Sequence, residues 1–326
     1  MREIQFYRAI MEALTEEMRR DERVFFTGEA VSPQASSLTR ATDEMWQEFG
    51  EQRIRETGIV ETMLAAGSAG AAMAGMRPVV DFMASDFMFP ATNEIYQAGL
   101  WRSGHGAAEN ISVPVVYMAV MSSYGGGGFS HARAPVAHFW RGIGLKLVLP
   151  TTPYDAKGLL KTAIRDNNPV VFLSHRRLMT TRGPVPEEEY LIPFGKAEIR
   201  QEGKDVTVVA ISYQVSLALE AAKELEQEGI SIEVIDPRTL EPLDNGAIFT
   251  SVGKTGRLVV VDDDYIRCGV GAEIAFRVQE NLFKSLKAPV QRVGNLNTPV
   301  PVARALMDAV MPTKEKIIAA VKKTLA

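Results

Sequence analysis

The chain of 326 residues has one cysteine, Cys268, and four histidines, His105, His131, His138 and His175. A single cysteine excludes an internal disulfide and any cysteine-based metal site. No apolar run approaches the ~20 residues of a membrane-spanning helix. Positive charge is not in excess: 36 Lys and Arg face 40 Asp and Glu, for a net charge of −4, and no basic stripe appears. Nucleic acid is therefore not an expected partner. There is no tandem repeat and no low-complexity tract. The one glycine run, "YGGGGFSH" at 124–131, lacks the Lys-Ser/Thr ending of a P-loop. It reads as a turn that brings the backbone close to a site.

Apolar residues make up 46% of the chain, enough for real cores. The length is that of about two domains. The amino-terminal stretch "MREIQFYRAIMEALTEEMRRDERV" places Phe6, Ile10, Ala13, Leu14 and Met18 on one face. It reads as a surface helix, not a targeting peptide, and the expected location is the cytoplasm. Then "RVFFTGEA" reads as a strand and "SPQASSLTRATDE" as a loop. The strands "RPVVDF", "VPVVYMAV", "GLKLVLP" and "NPVVFLSH" follow, alternating with helices at 61–74, 88–102 and "PYDAKGLLKTAIRD". Continuous apolar strands alternating with helices indicate a parallel sheet covered on both faces. After the Pro- and Glu-rich "TTRGPVPEEEYLIPFGKAEI", a second alternating series begins with "DVTVVAIS" and ends with "TKEKIIAAVKKTLA". The expected fold class is α/β, two open, mostly parallel-sheet domains in series: 1–185, a linker at 186–200, and a smaller domain at 201–326.

"GIVETMLAAGSAGAAMAG", 58–75, is the most unusual stretch. Six alanines and three glycines fill 65–75, and Glu61 is the only charge. Gly75 before Arg77-Pro78 is a helix stop. Glycine inside a helix costs about 0.5–1 kcal/mol against alanine, so a packing or functional reason is required. Small residues admit another backbone, or a flat ligand, at close range. Glu61 at the helix start is favoured by the dipole, while burial would oppose its charge. It reads either as an ordinary helix-start glutamate or as a proton-transfer group.

Across nearly its whole length the sequence resembles the beta subunit of the thiamine-diphosphate-dependent first component of 2-oxo acid dehydrogenase complexes. That family includes the pyruvate, branched-chain 2-oxo acid and acetoin dehydrogenases. The resemblance lies in "RDERVFFTGE", "FGEQRI", "IVE…GAAMAGMRPVVDFM", "DFMFPATNEI", "GLKLVLPTTPYDAKGLLKTAIRDNNPVVFL", "IDPRTLEPLD", "GVGAEI" and "RVGNLNTPVP". It implies a transketolase-like pyrimidine-binding domain followed by a transketolase C-terminal domain. It also implies that Glu61 helps the cofactor's aminopyrimidine to its imino form. The thiazolium carbanion then attacks the substrate ketone, and the acyl unit passes to a lipoyl acceptor. Ile59, Met83 and Phe87 would line the pyrimidine pocket, although without the resemblance Met83 and Phe87 read as core residues. His131 would face the reacting carbon. Ala163, Asp166 and Asn168 match a potassium site, or a plain helix end before Pro169. The chain has no G-D-G motif. An alpha subunit would therefore hold the diphosphate and Mg²⁺ in an α₂β₂ heterotetramer, attached to a lipoyl acyltransferase core.

Two departures from the family pattern concern the substrate side. The usual H-S-Q reads "HAR", and H-x-P-G reads "RGIG". Arg133 and Arg141 either pair with an anionic substrate group or are exposed charges. A transketolase-like or C–C lyase half-enzyme without a lipoyl acceptor, and a non-catalytic scaffold subunit, remain open at this point.

Overall fold

The apolar stripe near the amino terminus does form a helix, but only after a short strand. Strand β1, Arg2–Gln5, leads into α1, Phe6–Arg20, which buries Phe6, Ala9, Ile10, Ala13, Leu14 and Met18. The computed structural model describes residues 1–32, 40–121 and 123–326. It divides into two units, Met1–Met121 with His138–Phe194, and Ser122–Ala137 with Gly195–Ala326. No helix among the described residues is long and apolar enough to cross a membrane.

In the first unit, β2 (Val24–Gly28), β3 (Ile54–Glu56), β4 (Arg77–Ala84), β5 (Val116–Met121), β6 (Lys146–Val148) and β7 (Val170–His175) pair in parallel. Their order is β6-β7-β5-β4-β2-β3. Every residue of β2 and β7 is buried, as expected of strands covered on both faces. The helices are α2 (Arg40–Arg53), α3 (Glu61–Met73), α4 (Thr92–Glu109), α5 (Val136–Trp140) and α6 (Pro153–Arg165). Residues 40–44 of the expected loop begin α2, and 33–39 lie outside the described residues. The helix expected at 88–102 starts after Pro90 and continues to Glu109, ending on Asn110 at φ 54°.

Helix α6 shows how local sequence sets an element. Pro153 stands at its start, and Thr152 and Asp155 form a reciprocal capping box. Its inner face carries Lys157, fully buried, which pairs with Glu12 and with Glu16 at 2.8 Å. Lys161 pairs with Glu16 at 2.7 Å and Arg165 with the buried Glu17 at 2.6 Å. Buried charges require such partners. The Pro- and Glu-rich segment is likewise packed. Arg182–Val185 forms β8, antiparallel to β1, and Tyr190 stacks on Tyr154 with ring centroids 4.5 Å apart.

Helix α3 uses its small residues differently from a buried packing helix. Leu64, Ala65, Ser68 and Ala72 face inward, whereas Met63, Ala66, Gly67, Gly70 and Met73 are exposed. No heavy atom lies within 4 Å of a Cβ built on Gly70. The glycines thus lie on a face that the unit itself leaves open.

The second unit contains β9 (Glu198–Gln201), β10 (Val206–Ala210), β11 (Ile232–Asp236), β12 (Thr239–Glu241), β13 (Leu258–Tyr265) and β14 (Gln291–Asn295). The order β14-β13-β10-β11-β9 is parallel except for β9. Helices α7 (Gln214–Gln227), α8 (Asn245–Thr255), α9 (Val270–Leu282), α10 (Arg304–Val310) and α11 (Lys314–Leu325) accompany it. Val206, Val208, Val234, Val259 and Val261 pack with Ala218, Ala221, Ala222 and Leu225 of α7 and with Ile317, Ile318 and Val321 of α11.

Candidate active site

Strands β2, β3 and β4 lie side by side, and Gly28 pairs with both Glu56 and Asp81. The loops after these strands therefore leave the same carboxyl edge of the sheet, where open α/β folds place their ligands. The loop after β3 carries Ile59 and leads to Glu61. The bulged end of β4 carries Met83, and the following 3₁₀ turn, Ser85–Met88, carries Phe87. Glu61 is the first residue of α3, and Val60 before it offers no side-chain cap. The free N–H groups of that turn favour a carboxylate. Ile59 is 79% exposed and Met83 37%, while Phe87 is half-buried. Met83 is held at φ 59°, its N–H donating to Asp81 Oδ1 at 2.8 Å. A bulky residue in the left-handed region is strained, and such strain concentrates at functional sites. Met83 is therefore not a core residue.

Two carboxylates on this edge had not been singled out from the sequence. Glu29 follows β2 directly and is 3% exposed, and its Oε1 is buried without a hydrogen-bond partner. Burial first, then the like charges of Glu61 and Asp81, push its carboxyl up to about 7. Asp81 keeps part of its surface accessible, yet desolvation still raises it to about 6, opposed by the Met83 N–H. The close approach of β2 to β4 depends on Gly28, where a Cβ would stand 2.3 Å from the Asp81 carbonyl oxygen. The available signal was "TGE" at the end of a buried strand. Its meaning depends on β4, about fifty residues away in the chain. The arrangement places two carboxyls, both raised toward neutral pH, near Glu61 and an open apolar surface.

The other expected residues lie elsewhere. Ala163, Asp166 and Asn168 close α6 at the opposite, amino edge of the sheet. There the Arg77 guanidinium donates to the Ile164 and Asp166 carbonyls, both at 2.9 Å. Arg102 donates to Asn168 Oδ1 at 2.9 Å, and Lys146 stands 3.2 Å from Asp166. The Ala163 carbonyl accepts from the Asp166 N–H at 3.3 Å. Among the described residues, no group of three or more His, Cys, Asp or Glu side chains is suited to a metal. Arg141 is exposed, with its guanidinium 3.3 Å from His138 Nδ1. His138 in turn bonds Thr92 at 3.1 Å and packs against Phe89 and Tyr96.

His131 and Arg133 belong to the second unit. The glycine run forms the turn beneath His131: Gly126 and Gly128 have φ 70°, and the His131 N–H donates to the Gly128 carbonyl at 3.3 Å. A Cβ on Gly127 would stand 2.8 Å from His131 Cβ. His131 is exposed, with Nδ1 2.8 Å from Ser130 Oγ, while Ala132 and Ala134 on either side are buried.

A carboxylate edge of this kind, followed in the chain by a second parallel-sheet unit, defines the class. Residues 2–181 match the pyrimidine binding domain of transketolase, and 195–317 match its C-terminal domain. The chain belongs to the beta-subunit family of the thiamine-diphosphate-dependent 2-oxo acid and acetoin dehydrogenases. It is 39% identical to the Bacillus subtilis acetoin:2,6-dichlorophenolindophenol oxidoreductase subunit beta, over 95% of this chain and 94% of the relative. It is 38% identical to the 2-oxoisovalerate dehydrogenase subunit beta of the same organism, over 97% and 96%. It is also 40% identical to the mitochondrial pyruvate dehydrogenase E1 component subunit beta of Mus musculus, over 97% and 89%. A split-gene transketolase solved as an inactive beta4 tetramer shares the fold, with a TM-score of 0.75 at 24% identity over 99% of this chain and 98% of that one.

Proposed function

We propose that this chain supplies the pyrimidine half of the thiamine diphosphate site in a 2-oxo acid or acetoin dehydrogenase, and that an alpha subunit completes it. The observation that carries this reading is Glu61 at the head of α3, beside the proton-retaining Glu29. The chemistry of the donor set fits the cofactor's ring. Ile59, Met83 and Phe87 offer apolar surface to a flat heterocycle, and Glu61 offers a carboxylate to a ring nitrogen. When bound, the cofactor supplies a nucleophilic carbon for cleaving the bond beside a ketone carbonyl. Glu61 accepts and returns a proton at its Oε, and the neighbouring Glu29 carboxyl, raised to about 7, stands in the same acid cluster. His131 orients the substrate and assists passage of the acyl unit to a lipoyl group. Arg133 and Arg141 are the candidates for an anionic substrate group.

The missing G-D-G motif supports an alpha subunit that binds diphosphate and Mg²⁺ in an α₂β₂ assembly, and a lipoyl acyltransferase as acceptor. A cytoplasmic location is part of the same reading. Ala163, Asp166 and Asn168 stay the candidate potassium ligands through their carbonyl oxygens, with Arg77, which donates to the Ile164 and Asp166 carbonyls, as the competing cation.

The test is Glu61→Gln in the complex with its native partner. Turnover is expected to fall by about 100-fold or more, with assembly unchanged by size-exclusion chromatography. Normal turnover refutes the assignment. Affinity purification from the native cell tests the partners: a lipoyl acyltransferase in the sample supports the dehydrogenase over a lyase, and a chain that arrives alone refutes the shared site.

A further inference from the structure

We infer that the second unit holds residues 123–137 as a strap that fixes the main chain carrying His131, with Asp264 and Tyr124 as positioning residues. This deepens the reading above and rests on the role given there to His131. In sequence the segment interrupts the first domain, from just after β5 into the start of α5. In contacts it belongs to the second unit, and the chain returns to the first at His138.

The strap is fixed at both ends and at its middle. At its start, the buried Ser123 hydroxyl donates to the Asp263 carboxylate. The Tyr124 hydroxyl then donates to the Pro312 carbonyl at 2.8 Å and accepts from Gln214 Nε2 at 3.3 Å, and its ring packs edge-on to Tyr213. In the middle, Ala132 lies in an apolar cluster with Val300, Met307 and Met311. At its end, the Ala137 N–H donates to Asp264 Oδ2 at 2.7 Å, while Asp264 Oδ1 accepts from Tyr265 at 2.7 Å.

These anchors come from the carboxyl end of β13, the first turn of α7 and the segment before α11. Adjacent β10 and β13 lead away in opposite directions across the sheet, β10 to β11 and β13 to β14. An open α/β sheet places a ligand crevice at such a point. Here Ser123 and Ala137 bind the carboxylates at the end of β13. Because residues on either side of His131 are fixed, the exposed imidazole rides on a rigid turn and not on a wandering loop.

The test uses the complex with its native partner, reading hydrogen exchange of residues 123–137 together with kcat and KM. Asp264→Ala removes both acceptors. It is expected to speed exchange at Ala137 about tenfold or more, and to lower kcat with KM little changed. Asp264→Asn keeps one acceptor oxygen and should restore much of both. Tyr124→Phe removes only a hydroxyl and should speed exchange at the strap's start, which keeps the test informative if Asp264→Ala fails to fold. Unchanged exchange in these variants overturns the strap. Faster exchange with unchanged kcat overturns the positioning role. His131→Ala separates this from the underlying reading: if it leaves kcat intact, the role of His131 fails, whatever the exchange data say about the strap.

Discussion

Replacing Glu29 by Gln turns the buried carboxylate into a measurable stability term. In the folded protein this carboxyl titrates at about 7, against an ordinary 4.5. Between those values the folded state keeps a proton that the unfolded state has released, so stability falls as pH rises through the window. At 1.36 kcal/mol per pKa unit the full cost is about 3 kcal/mol. Glu29→Gln carries no charge to desolvate. It should match the wild type near pH 4.5 and exceed it by up to about 3 kcal/mol at pH 8. Asp81, raised to about 6, titrates in both proteins and largely cancels in the difference. The assay is urea unfolding followed by circular dichroism from pH 5 to pH 8. Glu61→Gln removes one of the like charges and should shrink the wild-type slope. A wild-type-to-variant difference that stays constant across this range would refute the raised carboxyl.

Further outcomes follow from other parts of the chain. Gly28→Ala forces a Cβ to 2.3 Å from the Asp81 carbonyl oxygen, and should cost about 1–3 kcal/mol by thermal or urea unfolding. Lys157→Met takes one buried cation from Glu12 and Glu16, leaving Glu12 with Arg2 and Glu16 with Lys161. Because both acids are partly solvated, the expected loss is about 2–3 kcal/mol rather than more; an unchanged urea midpoint would refute it. Exchanging potassium for sodium should move Tm by less than about 1 °C if Arg77 meets the α6 carbonyls; a shift of several degrees would favour the ion there. Arg133→Ala should raise KM for an anionic substrate about tenfold with kcat kept, the mark of uniform binding; unchanged kinetics would leave Arg133 a structural charge.

Local pattern was enough for much of the architecture. The apolar stripe of α1, the capping box and Pro153 of α6, and the strand-length runs of both sheets depend on residues a few positions apart. Periodicity reports those interactions directly. The family resemblance pointed to Glu61, Ile59, Met83 and Phe87, because its motifs are matched position by position along the chain. What lay beyond reach depended on neighbours distant in the chain. β1 and β8 are short, and each exists only through the other. The small residues of α3 signalled close packing, but only the fold shows that Gly67 and Gly70 face outward.

The sequence by itself determined two α/β units and the carboxylate at the head of α3. Those follow from periodicity and from chain order along a parallel sheet. Tertiary structure alone decided that Glu29 joins Glu61 and Asp81 and keeps its proton near neutral pH, since desolvation and charge act through space. It alone assigned Arg77 to the end of α6, and it alone put 123–137 with the second unit. No local pattern encodes these three results, because in each the deciding partner comes from another strand or helix, far away along the chain.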